Sequence, residues 1–283
     1  MMGLKEHQAV LIELLREFDR VCKKHDIKYI LFAGTALGAV RHGGIIPWDD
    51  DLDIAMLREE YEKLMSLPAD EWDGKYYLQR EFSEHWPMFF SKLRKNNTTC
   101  LEKYHPKDND IHQGIYVDIF PVDNAAGNRL IRMIQFASSK VVLAKALYRR
   151  GYETRSRGKK LFMQLCRILP MKPFCAITKR RRASGSEYVH SFFGATSSFK
   201  KGVYPRRWFS DITEMQFEDM LVPMSAHYDE LLTTLYGDYM KIPDEEDRKC
   251  KVHAILVDTE RSYTEYLNYR DGMTFEVFTR SIR

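Results

Sequence analysis

The chain has 283 residues, is 44% apolar and 13% aromatic, and carries a net charge of +4. That composition excludes a disordered chain and suffices for one large domain or two small ones around a substantial core. No run approaches the roughly 18 apolar residues needed to span a bilayer, the N-terminus MMGLKEHQAVLIELL carries charges where a signal peptide has its apolar core, and five scattered cysteines without C-x-x-C spacing exclude a disulfide framework or a structural zinc site. The expected compartment is the reducing cytoplasm.

Residues 4–25 form an amphipathic helix, with Leu11, Leu14, Leu15, Phe18, Val21 and Cys22 largely on one face for core packing. Ile27 to Phe32 is a short β-rich run, broken by Gly34-Thr35. Thr35 is placed to cap a helix over Ala36 to Arg41, which ends at His42-Gly43-Gly44. A strand, a Gly-Thr turn and a helix N-terminus present free backbone N–H groups to an anion. Arg41 and His42 flank that helix as candidates for phosphate contact.

The run Trp48-Asp49-Asp50-Asp51-Leu52-Asp53-Ile54 turns from acidic to alternating. Side chains at i and i+2 share one face of a strand, so Asp51 and Asp53 project together, away from Leu52 and Ile54. Paired carboxylates repel unless a cation neutralises them, and the simplest is Mg2+, or Mn2+, taken by oxygen ligands and shared with substrate phosphates. Asp49 and Asp50 are read as orienting the strand through Trp48 and capping a turn. An anion-binding turn beside an acidic pair suits chemistry on a nucleoside di- or triphosphate.

Residues 58–66 read as a polar helix, 75–80 and 87–94 as strands, 101–113 as a polar loop, and Ile115 to Phe120 as a strand carrying Asp118. Asp123, beyond Pro121, reads as a turn or cap residue. Lys92 and Arg94 share a strand face; the residues alone leave open whether that face is merely exposed or reaches phosphate oxygens. Residues 129–182 hold 16 basic residues against one acidic residue, Glu153, so this segment is +15 and the remainder −11. Its apolar patches predict two helices with a turn near Gly151 to Gly158. A helix is expected around Ser225 to Leu235, with Gly237 as a left-handed C-cap, and Tyr228 and Tyr236 as walls of an acceptor pocket.

The string GTALGAVRHGGIIPWDDDLDIAM resembles the LicD family, phosphocholine transferase relatives that include the fukutin-related proteins. SKLRKNNTT, GIYVDIFPVD, YPRRWF, QFEDMLVPM and LYGDYMKIP follow in the same order, so the resemblance runs from the first helix to about His253. It implies an α/β (α+β) fold: a DNA polymerase β-like nucleotidyltransferase core with a mixed sheet in residues 1–128, a basic helical insertion in 129–182, and a C-terminal part, 183–283, packed on the acceptor side. It implies Asp51, Asp53 and Asp118 as metal ligands and catalytic residues, Asp118 as third ligand or as base, and Gly34, Thr35, Arg41, His42, Lys92 and Arg94 around the substrate.

The implied activity is transfer of a phospho-alcohol, phosphocholine from CDP-choline, to a hydroxyl of a glycan or lipid-linked glycan precursor of lipopolysaccharide or teichoic acid. Relatives that transfer ribitol phosphate leave the transferred group open. The alternative from the residues is a sugar-nucleotide glycosyltransferase using the same Asp-x-Asp. The basic segment suggests peripheral contact with an anionic membrane, on its inner face, and the acidic remainder argues against a nucleic acid partner.

Overall fold

In the first helix, α1 (Leu4–Lys24), the apolar stripe read from the sequence is buried: Leu11, Leu14, Leu15, Phe18 and Val21 are at 0% exposure. The computed structural model describes residues 4–83, 86–102, 111–152, 154–180, 185–192, 198–245 and 254–266. The chain continues through β1 (Ile30–Leu31), α2 (Ala33–His42), β2 (Asp53–Leu57), α3 (Arg58–Ser66), β3 (Tyr76–Gln79), β4 (Ser91–Lys95), β5 (Thr99–Glu102) and β6 (Tyr116–Ala125). After the helices α4 (Arg129–Arg149), α5 (Arg157–Ile168) and α6 (Met171–Lys179) come β7 (Tyr188–His190), β8 (Val203–Pro205), α7 (Arg207–Ser210), β9 (Ile212–Phe217), β10 (Met220–Ser225), α8 (Tyr228–Tyr236) and β11 (Ala254–Asp258).

The result is a mixed α/β fold around a sheet in the order β1-β2-β6-β4-β3, with β7 and β8 continuing from β6. β6 runs parallel to β2 and antiparallel to β4 and β7. Leu52, Ile54, Leu93, Val117 and Ile119 lie in one cluster with the α1 stripe, so this sheet face and α1 form the main core. The opposite face is polar at one end and apolar further along, where Ala55, Leu57 and Val122 pack with Phe32, Val189 and Phe209.

β6 is longer than the strand expected from the sequence. It passes through Pro121 and continues to Ala125. Asp118 donates its N–H to Leu52 O at 2.8 Å, so by alternation the N–H that Pro121 lacks would point to the other edge. There β4 pairs with residues up to Ile119 and β7 begins at Asp123, so no ladder bond is lost. The structure therefore corrects the reading of Asp123 as a turn residue. It is a buried strand residue gripped by Arg58, with Nε to Oδ1 at 2.7 Å and Nη2 to Oδ2 at 3.0 Å.

β9 and β10 form a hairpin closed by Glu218-Asp219, which the sequence reading did not separate from its turns. Its tip grips the end of α2: Glu218 N–H donates to Gly43 O at 2.7 Å, and its carboxylate accepts from Ile45 N–H at 2.8 Å. Gly43 takes the left-handed C-cap, φ 71°. A Cβ on Gly38 would overlap the Gly44 carbonyl, because helix and turn meet there backbone to backbone. Gly38→Ala is expected to lower stability by about 2 kcal/mol through overpacking, read as a lower urea midpoint at unchanged slope.

Among the described residues of 129–182 there are three helices rather than the two expected. Pro170, which cannot continue α5 but suits a helix start, stands at the N-cap of α6. His253 lies outside the described residues.

Candidate functional site

The site grows from the junction of β1, α2 and β2. Phe32 N–H donates to Asp53 O at 2.9 Å, fixing where the two strands separate. Ala33 then takes φ 45°, an uncommon backbone for a residue with a side chain, and α2 begins there. The helix thus starts three residues earlier than its expected first residue, Ala36. Thr35 does not cap it; the N-cap is Phe32, with no side-chain cap bond. Instead Thr35 Oγ1 accepts the Asp53 N–H at 2.7 Å, tying the first turn of α2 to the acidic strand. Gly34 lies beside Asp49: a Cβ on it would sit 3.1 Å from Asp49 Oδ2. The first-turn N–H groups of α2, which have no partner within the helix, therefore open near the acidic run.

The carboxylates of Asp49, Asp50 and Asp51 offer oxygens within 4.8 Å of one another. One oxygen of the buried Asp50 accepts the Ala254 N–H at 2.9 Å, at the start of β11. Asp53 stands directly opposite Asp118 on the parallel strand β6, so the two side chains leave the same sheet face. Burial pushes the carboxyls of Asp51 and Asp53 well above the usual carboxylate range, and repulsion adds to it: Asp53, Asp49 and Asp118 act on Asp51, and Asp118 and Asp49 act on Asp53. The donors are all carboxylate oxygens held together against their own repulsion, a set that suits a hard divalent cation. Asp49 is the acidic residue whose place the sequence reading missed. Residues 49–52 precede β2, so strand alternation could not have placed it.

Lys92 completes the row across the sheet, opposite Asp118 on β4. Its Nζ lies 3.1 Å from Asp118 Oδ1 and 3.5 Å from a Glu102 oxygen, and its side chain is 1% exposed. Arg150, capping the end of α4, closes on Glu102 at 2.6 Å. Burial lowers the Lys92 pKa against the pull of Asp118, while burial raises that of Asp118 against the pull of Lys92. The aromatic rings of this corner are occupied by the chain's own cation: Lys92 Nζ lies 3.1 Å from the Tyr116 ring centre, 5.3 Å from Trp86 and 5.6 Å from Phe90. Arg94, at 0% exposure, is enclosed, donating to Gln79 Oε1 and Gly114 O at 2.7 Å each.

Arg41 and His42 lie at the far end of α2. Arg41 donates to the carbonyls of Tyr239 and Lys241 at 2.9 and 3.3 Å, and His42 meets Trp48 edge-on at 5.7 Å between ring centres. Tyr236, at the end of α8, is 43% exposed, and its phenol lies within the field of Asp53, Asp49 and Asp51. Its neighbour Gly237 has φ 77° and ψ −122°, a positive-φ stop but not the left-handed helical cap expected.

Asp53 at the head of β2 and Asp118 in register with it on β6 thus form an acidic site beside the first turn of α2. Residues 26–143 match the LicD/FKTN/FKRP nucleotidyltransferase domain of the LicD family. It is 26% identical over 258 residues to the lipopolysaccharide cholinephosphotransferase LicD of Haemophilus influenzae, covering 88% of this chain and 95% of that protein. A 57-residue stretch, 20% of this chain, is 50% identical to an uncharacterized protein of Rickettsia prowazekii, of which it covers 21%. A stretch of 123 residues, 41% of this chain, is 28% identical to mannosyltransferase regulator 4 of Saccharomyces cerevisiae, of which it covers 10%. Among the described residues, no helix is long and apolar enough to cross a membrane.

Proposed function

We propose that this chain is a metal-dependent phosphotransferase with a DNA polymerase β-like core, moving phosphocholine from CDP-choline to a hydroxyl of a cell-surface glycan precursor. The observation that carries the reading is the cluster Asp49, Asp50 and Asp51 beside the N-terminus of α2, electrostatically coupled to the Asp53–Asp118 pair in register across β2 and β6. Similarity to the Haemophilus enzyme over most of both chains supplies the transferred group. Asp51 and Asp53, with Asp49 and Asp118 adjoining, would hold Mg2+ or Mn2+. Such an ion neutralises pyrophosphate charge and polarises phosphorus.

The chain's own groups do the rest. The N–H groups opening from α2 at Gly34 and Thr35 bind a phosphate oxygen of the donor. The acceptor hydroxyl attacks the β-phosphorus, its proton passes to Asp118, and the bond to the leaving CMP breaks. Burial raises the pKa of Asp118, so it holds the proton more firmly than an ordinary carboxylate, while Lys92 keeps it ionised beforehand. The choline ammonium lies against the exposed ring of Tyr236, where the aspartates add attraction. The rings of Trp86 and Tyr116 are excluded from that role because Lys92 fills the space over them.

The test is a donor screen with CDP-choline, CDP-ribitol and UDP-sugars, with Mg2+ or Mn2+ and a glycan acceptor, reading the released nucleotide by mass spectrometry. CMP released from a CDP-alcohol only with metal supports the reading; UDP released from a UDP-sugar alone overturns it in favour of glycosyl transfer. Asp118→Asn is expected to lower kcat about a hundredfold, the usual worth of a positioned base, with donor Kd unchanged. A donor Kd weakened as much as in an Asp51 variant would make Asp118 a primary metal ligand instead.

A further inference from the structure

The helices α4, α5 and α6 carry an outward surface that is at once apolar and basic. On α5, Leu161, Leu165 and Ile168 follow helical spacing and are 58%, 56% and 74% exposed, while Met163 and Cys166 on the opposite side pack with Ala144 of α4. On α4, the face that holds Val141, Ala144 and Tyr148 against α5 continues one turn at a time back to Ile134 and Leu130. There α5 no longer covers it, and Leu130 is 70% and Ile134 55% exposed. Both apolar stripes thus lie on the side of the helical unit turned from the sheet. Exposed apolar side chains at helical spacing are not what a solvated face needs.

Among the described residues of α4, α5 and α6, the exposed charges around these stripes are basic. Arg129, Arg157, Lys159, Lys160, Arg167 and Lys172 are all exposed. Lys179, expected from the sequence to belong with them, does not: it is buried against Glu81 at 2.6 Å. The surface is fixed to the strand that bears Asp118. Gln135 of α4 accepts Ala126 N–H at 2.8 Å and donates to Asn124 O at 2.9 Å, at the end of β6, and to Thr178 O of α6 at 3.2 Å.

We propose that this face of α4 and α5 lies on an anionic lipid bilayer, with Leu130, Ile134, Leu161, Leu165 and Ile168 entering the interface and the flanking Arg and Lys side chains meeting lipid phosphates. The charges select this occupant. A second copy of the same face would bring like charges together, and a neutral protein surface would leave them uncompensated, whereas an anionic leaflet satisfies both the apolar and the basic side chains. The inference rests on the surface alone and not on the transferase reading. It adds a reason for the helical unit: it would hold the β6 site beside an acceptor carried on lipid.

The test uses the full chain with vesicles of phosphatidylcholine alone and of phosphatidylcholine mixed with phosphatidylglycerol, read by co-sedimentation without any donor. The expected result is binding to the mixed vesicles only, weakened by high salt. Each Lys or Arg near such a surface is worth about fivefold in partitioning, so Arg157→Gln with Lys160→Gln and Lys172→Gln should weaken binding about a hundredfold. Leu161→Gln with Leu165→Gln and Ile168→Gln should weaken it at least tenfold. Both triple variants alter exposed side chains only, and circular dichroism establishes that they fold. Equal binding to the two vesicle types, no binding to either, or binding unchanged in both variants overturns the proposal. So does salt-sensitive binding to duplex DNA in the absence of vesicle binding, or a dimer in light scattering that the Leu161 triple variant dissolves. CMP release from a soluble acceptor remains the separate measure of the transferase reading.

Discussion

Asp53→Asn is expected to lower the proposed transfer by about a thousandfold or more, an activation cost of at least about 4 kcal/mol, without unfolding the protein. Asparagine keeps the shape of the side chain, and the backbone bond from Asp53 N–H to Thr35 Oγ1 does not involve the carboxylate, so the β2–α2 junction survives. What disappears is one negative charge in a group whose members hold one another's pKa high through burial and repulsion. The metal-free protein should therefore melt no lower than wild type, and Asp51→Asn should behave alike. Function and stability pull in opposite directions here, as they do where a site stores repulsion for a ligand to relieve. The discriminating measurement is the melting temperature with and without Mn2+. Wild type should gain stability on adding the metal, and Asp53→Asn should not. Wild-type turnover in either variant would sink the metal assignment, and a collapsed circular dichroism spectrum would make the pair structural.

Elements whose pattern is local were legible in the sequence. The stripe of α1 and the span of α3, Arg58–Ser66, emerge as expected because periodicity alone sets them. β6 was cut short at Pro121 because a proline normally ends a strand; only the sheet shows that its missing N–H faces the gap between β4 and β7. The site divides in the same way. A period of two put Asp51 and Asp53 on one strand face, but β2 begins only at Asp53, and Asp51 clusters with Asp49 and Asp50 just before it. The partner of Thr35 is a backbone N–H eighteen residues away, and Lys92 meets Asp118 only through the register of β4 on β6, so neither could be read from spacing. Arg94 shows the limit: sharing a face with Lys92 says nothing of depth, and its guanidinium proves enclosed.

Arg58→Met is expected to destabilise the fold by about 3–5 kcal/mol, the cost of removing one member of a buried ion pair. Arg58 is the first residue of α3, and its side chain is 3% exposed. It holds both oxygens of Asp123 and, through Nη1, Glu81 Oε1 at 2.9 Å, an oxygen shared with Lys179. Burial works against the guanidinium charge, yet Asp123 and Glu81 more than offset it and hold its pKa above the ordinary range. Methionine fills the space but leaves the Asp123 carboxylate buried without its bidentate partner. Asp123 stands five residues beyond Asp118 on β6, and Lys179 ends the α6 helix, so one knot joins α3, β6 and the helical unit. Activity per folded molecule should change far less than the denaturation midpoint, because no atom of this knot touches the carboxylate site. Arg58→Met combined with Asp123→Leu, which removes both charges, should recover much of the loss. A double variant as unstable as the sum of the two single ones would show that Arg58 and Asp123 contribute independently, and the network reading would fail.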